Sequence, residues 1–105
     1  MKTAKLLIVY RLEPGCLGPR GADLIADFCE YVQTLSHSYN TDYIDWKIIP
    51  RIDKSIAELQ YYLADKRITH EQAEHYLTLF NAELKTSESD FDDLLEVTIR
   101  EYLKP

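Results

Sequence analysis

The chain has 105 residues, of which 46% are hydrophobic and 29% charged, and it carries twelve Lys and Arg against eighteen Asp and Glu for a net charge of −6. One domain of this size buries roughly two thirds of the surface its unfolded chain exposes, so its core needs no metal or disulfide, and the composition is that of an ordered protein. Its acidic balance repels phosphate backbones and anionic membrane surfaces, and its cations, densest at Lys66-Arg67, are too scattered to offset that.

The first ten residues are too short in their apolar run, Leu6 to Tyr10, for a signal peptide, and no stretch reaches the ~20 apolar residues of a membrane span. A cytoplasmic setting is expected, with Cys16 and Cys29 as free thiols. Neither nucleic acid nor membrane is expected as a partner, and no cofactor motif is present.

From about residue 4 to about 12 the chain is almost continuously apolar and β-prone. That pattern predicts a central strand covered on both faces. Glu13-Pro14-Gly15 ends it. A helix is predicted from about Pro19 to about Ser38, because Leu24, Ile25, Phe28, Cys29, Val32, Leu35 and Tyr39 recur at helical spacing. Tyr43 to Ile49 alternates as a second strand with Ile44, Trp46 and Ile48 on one face, and Pro50 closes it. Strand, helix and strand in this order imply a parallel crossover.

Residues 51–68 admit two readings. Ser55 and Glu58 have the spacing of a capping box, whereas Leu59, Tyr61 and Leu63 alternate with Gln60 and Tyr62. A third, antiparallel strand is favoured, since two strands alone make a poor sheet. Thr69 and Gln72 form a second capping box, opening a helix predicted to reach Leu84. Lys85-Thr86-Ser87 is the predicted break. A last helix, about Ser89 to Leu103, places Glu88, Asp90, Asp92 and Asp93 at its start, where the helix dipole favours acids. The expected fold is α+β: a small mixed sheet with a β-α-β start and a third antiparallel strand, packed with three helices of which two are C-terminal.

Residues 11–21 hold all three glycines, two of the four prolines and Cys16. The plain reading is a tight strand-to-helix corner. Two chemical readings stand beside it. Gly15, Gly18 and Gly21 with Arg20 could offer N–H groups and a guanidinium to an anion, although the spacing matches no phosphate-loop or dinucleotide pattern. Alternatively Cys16, ahead of a helix N-terminus and near Arg20, is the candidate for a catalytic thiol. In this one detail the run Cys16-Leu17-Gly18-Pro19-Arg20 is similar to the active-site loop of the glutaredoxin-like arsenate reductases, which implies thiol chemistry. Leu12 replaces the histidine usual upstream in that family, and Pro50 stands where thioredoxin-like folds carry a proline after a later strand.

The run His70-Glu71-Gln72-Ala73-Glu74-His75 spaces its histidines five apart, so they diverge on a helix and no metal site is expected. Glu88, Asp90, Asp92, Asp93 and Glu96 lack the framework of a calcium loop. Tyr43, Trp46, Tyr61 and Tyr62 cluster around the second and third strands and are the candidate interface. The expected function is association, as a homodimer or as an adaptor for another protein. The alternative is a small thiol-dependent or anion-binding enzyme that uses residues 11–21.

Overall fold

The computed structural model describes residues 5–36 and 43–104. The turn after the first helix, with His37 and Tyr39, lies outside the described residues. The elements in chain order are β1 (Leu6–Leu12), a short 3₁₀ turn (Pro14–Leu17), α1 (Gly21–Ser36), β2 (Ile44–Pro50), β3 (Leu59–Leu63), β4 (Lys66–Ile68), α2 (His70–Thr78) and α3 (Leu84–Tyr102). The fold is α+β, with two of its three helices C-terminal, and no described helix is long and apolar enough to cross a membrane.

The four strands form one sheet in the order β2-β1-β3-β4. β1 pairs parallel with β2, Leu6 opposite Ile44 and Ile8 opposite Trp46, and antiparallel with β3, Ile8 opposite Tyr61. The alternation of β3 therefore outweighs the capping-box reading of Ser55. That serine donates both its N–H and its hydroxyl to the Asp53 carboxylate, at 2.9 and 2.7 Å, inside a loop. These bonds hold the exposed Asp53 carboxyl below its usual pKa.

All three helices lie on one face of the sheet. Leu6, Ile8 and Leu12 of β1, Ile44, Trp46 and Ile48 of β2 and Tyr61 of β3 join a single core with Phe28 and Val32 of α1, Ala73 and Leu77 of α2, and Leu84, Phe91 and Leu95 of α3. The strand positions between them, Leu7, Val9, Ile49 and Tyr62 among the apolar ones, belong to no helix-packed cluster. β1 is thus central, as its apolar run predicts, but helices cover only one of its faces.

Gln33 of α1 closes the outer edge of β2. Its Nε2 donates to the Trp46 carbonyl at 2.9 Å and its Oε1 accepts from the Ile48 N–H at 2.8 Å. The side-chain amide occupies the positions another strand would use, which blocks edge-to-edge pairing there.

The C-terminal helices differ from their predicted bounds. α2 opens on the Thr69–Gln72 capping box, with both reciprocal bonds present, but ends at Thr78. Asn81 turns the chain with φ of 56°, a conformation asparagine tolerates. α3 then starts at Leu84, so Lys85-Thr86-Ser87 lies inside it. The reason is tertiary: Leu84 is 1% exposed and anchors the first turn in the core. Glu88 and Asp92 consequently sit past the helix start and do not serve its dipole. They accept hydrogen bonds from the sheet instead, Glu88 from the Tyr61 hydroxyl at 2.6 Å and Asp92 from the Tyr10 hydroxyl at 3.0 Å. Burial first, and then these carboxylates, push both phenol pKa values well above 10.

Candidate functional site

β1 and β2 run parallel, so their carboxyl ends share one end of the sheet, the end where open α/β sheets place ligands. The loop after β1 and residues 51–58 meet there. Arg51 joins them. Its N–H donates to the Leu12 carbonyl at 2.8 Å, and its guanidinium reaches the Glu13 carboxylate at 2.6 Å and the carbonyls of Ile56 and Lys54 at 3.2 and 3.1 Å. A guanidinium so engaged holds two loops together and is not left open for a ligand. Beside it lies a groove of about 550 Å³ whose lining includes Gly15, Ala22, Ile25, Pro50, Arg51 and the exposed Ile52.

The glycine loop is built for close packing. A Cβ on Gly21 would fall 1.7 Å from the Pro14 carbonyl oxygen, so the start of α1 presses directly on the 3₁₀ turn. Gly18 has φ of 87° and ψ of −163°, a region open almost only to glycine. Gly15 has open space around it, as Gly18 does, and is the one glycine of the three that neither packing nor a positive φ demands. The N–H groups needed by an anion are largely spent inside the loop: Cys16 N–H on the Glu13 carbonyl, Gly18 N–H on Gly15 and Gly21 N–H on Gly18, at 3.1, 3.1 and 3.0 Å. With these donors turned inward, the Gly15–Gly21 segment forms no cradle, and Arg20 stands exposed outside it.

Cys16 lies on the solvent side of the turn, while Leu17 beside it is buried. α1 begins at Gly21, so a full turn of chain separates the thiol from the helix N-terminus. Partial burial raises the Cys16 pKa, with Glu13 and Glu58 adding to the rise against a backbone hydrogen bond that lowers it. The similarity to the arsenate-reductase loop therefore stops at position: a thiol between a strand and a helix, in surroundings that suppress the thiolate. Cys29 is in the core, its pKa pushed up to about 11 by burial and by Cys16, and both thiols are free. Iodoacetamide is expected to label Cys16 in the native protein more slowly at neutral pH than a model thiol, with its rate profile displaced to higher pH, and to spare Cys29 until the chain unfolds; peptide mass mapping across a pH series reads both. Fast labelling of Cys16 below pH ~7 restores the catalytic reading.

The histidine run holds no ligand cluster. His70 Nδ1 is 2.9 Å from Glu74 and its Nε2 3.6 Å from Glu88, so it ties α2 to α3. Among the described residues no group of three or more His, Cys, Asp or Glu side chains is placed to hold a metal.

The four candidate interface aromatics separate by face. Trp46 and Tyr61 are 4% and 5% exposed, beneath the helices. Trp46 stacks on Phe91 of α3, ring centroids 4.1 Å apart and 6° from parallel. Tyr43 stacks on Phe80 at 5.0 Å. These three are core or core margin, which corrects the reading of them as surface. Alternation along a strand separates its two faces without saying which one the helices take.

Tyr62 is on the open face. There the pairing sets Asp45, Leu7, Tyr62 and Arg67 in one row across the strands, and Lys47, Val9 and Gln60 in the next. Lys5 neutralises Asp45 at 2.7 Å. Arg11, one row on, donates to the Gln60 amide oxygen at 2.6 Å and to the Ala57 carbonyl at 3.4 Å. Compared with protein-family models, curated proteins and solved structures, the chain matches none.

Proposed function

We propose that the chain is an association module that works as an adaptor through the open face of its sheet. One observation carries this reading. β1 has the near-continuous apolar sequence of a strand buried on both sides, yet helices cover one side only. Sheets of parallel strands alone occur almost only with both faces covered, and here the parallel pair β1–β2, within a mixed sheet, has a helical layer on one side only. Leu7, Ile49 and Tyr62 are left partly exposed on the uncovered side. A protein partner laid over them completes the second layer.

The test is position-specific. A photo-crosslinking amino acid replaces Leu7 or Tyr62 on the open face, or Leu79, which is 71% exposed beyond the end of α2. In the native host, Leu7 and Tyr62 are expected to give adducts of one defined mass and Leu79 none. Equal yields from all three positions, or none from the open face, refute the assignment.

A further inference from the structure

The open face has a charge of its own, and this inference rests on the association reading. The chain as a whole is at −6. Arg11, Lys47 and Arg67 nevertheless stand at strand positions on this face, and among the described residues none of the three is paired with a carboxylate. The one acid in the same rows, Asp45, is held by Lys5. The face is therefore a short apolar strip, the partly exposed Leu7 and Tyr62 with Val9 buried beside them, between cations that no carboxylate pairs. On the helical side the balance reverses, with Asp90, Asp93, Glu96 and Glu101 exposed on α3.

We infer that the occupant is an acidic amphipathic helix of a different protein, its apolar stripe on Leu7 and Tyr62 and its carboxylates meeting Lys47 on one flank and Arg67 on the other. The dimensions suit it. Lys47 is on β2 and Arg67 on β4, three strand spacings apart, or about 14 Å across the sheet. A helix with its side chains is about 10–12 Å wide. A second copy of this chain fits worse. Face to face, the two open faces set like charges opposite each other. Head to tail, basic sheet on acidic helices, the contact is heterologous and joins opposite sides of the molecule, a geometry that favours open chains over a closed dimer. Strand addition is also disfavoured, because Gln33 occupies the β2 edge and β4 has only three residues. Single-stranded nucleic acid fits the cations but not the overall charge, and the strand positions of this face carry one aromatic ring, Tyr62, where stacking platforms use several.

The full ¹⁵N-labelled chain is titrated with a synthetic three-heptad helix carrying Leu on one stripe and Glu on both flanks. Parallel titrations use the same peptide with Lys for Glu, and oligo(dT). The Glu peptide is expected to shift amides of β1, β2 and β4 while those of α3 stay in place. Raising salt from about 0.1 to about 1 M shortens the screening length from about 10 to about 3 Å and weakens binding. Lys47→Glu with Arg67→Glu, both exposed and unneeded by the core, lowers affinity about tenfold or more. Equal binding of the Lys peptide, shifts confined to the helical layer, binding of oligo(dT) alone, or no binding at all overturns the inference. Crosslinking of Leu7 to a neutral or basic partner segment removes this inference and leaves the association reading. Absence of any crosslink from the open face removes both.

Discussion

Gly21→Ala is expected to lower the stability of the chain by on the order of 3 kcal/mol or more, a drop in Tm of about 12–24 °C. The new methyl carbon would lie 1.7 Å from the Pro14 oxygen and 2.6 Å from its carbonyl carbon. Both are backbone atoms, so no side chain can swing aside. The backbone at Pro14 has little freedom either: proline fixes its own φ, and Glu13 before it is tied to Arg51. Either the first turn of α1 moves off the 3₁₀ turn or the loop opens, and each exposes Leu17 and Ile25, now 3% and 7% exposed. Gly18→Ala costs less, about 1–3 kcal/mol, because the strain is local to one residue. Gly15→Ala, with nothing within 4 Å of the added carbon, stays within about 0.5 kcal/mol. Thermal unfolding of the three variants checks the order Gly21, Gly18, Gly15. An equal effect at all three would overturn the assignment of the largest constraint to the Pro14–Gly21 contact.

That order also shows what the sequence does and does not disclose about this corner. The density of glycine and proline marks residues 11–21 as constrained. Which constraint acts depends on the distance between Pro14 and Gly21, and that distance is set by how β1, the 3₁₀ turn and α1 fit together. The same limit recurs elsewhere. The Thr69–Gln72 cap and the Ile44-Trp46-Ile48 alternation are local, and both are present as predicted. The start of α3 is not local, because Leu84 is helical through burial against other elements. The roles of Asp92 and Glu88 depend on Tyr10 and Tyr61, 82 and 27 residues away in the chain, so sequence leaves them as an unattached acidic run. For the candidate site the gap is instructive. The apolar run of β1 predicts two covered faces, and the structure supplies one. Local pattern and tertiary packing agree nearly everywhere else in the sheet, so the disagreement at Leu7, beside the partly exposed Tyr62, points to the function of this face.

Phe91→Ala is the second large effect, expected to cost about 3–5 kcal/mol. Phe91 is 1% exposed and lies flat on Trp46, with Tyr10 tilted against it at 5.6 Å. Removing the ring leaves a void bounded by two large aromatic side chains seated on a paired sheet, a wall that relaxes poorly. α3 has no second ring in that stack. Its other holds are Leu84 and Leu95, the partly buried Leu94, Ile99 and Tyr102, and the hydroxyl bonds to Asp92 and Glu88. The variant should therefore lose α3 first. Amide exchange along Leu84–Tyr102 should accelerate before exchange in β1, and the emission of Trp46, the chain's one tryptophan, should move to the red as water reaches the stack. Phe91→Leu keeps most of the volume and should cost roughly 1.5 kcal/mol or less. The loss acts on the helical layer, while Leu7 and Tyr62 stand on the opposite side of the sheet. Where native chain remains, Phe91→Leu should bind the acidic helix with unchanged affinity, and Lys47→Glu with Arg67→Glu should lose that binding at unchanged Tm. If instead Phe91→Leu weakened binding as much as it weakened the fold, the partner would dock on the helices, and the open face would be an exposed side of the sheet with no second layer to receive.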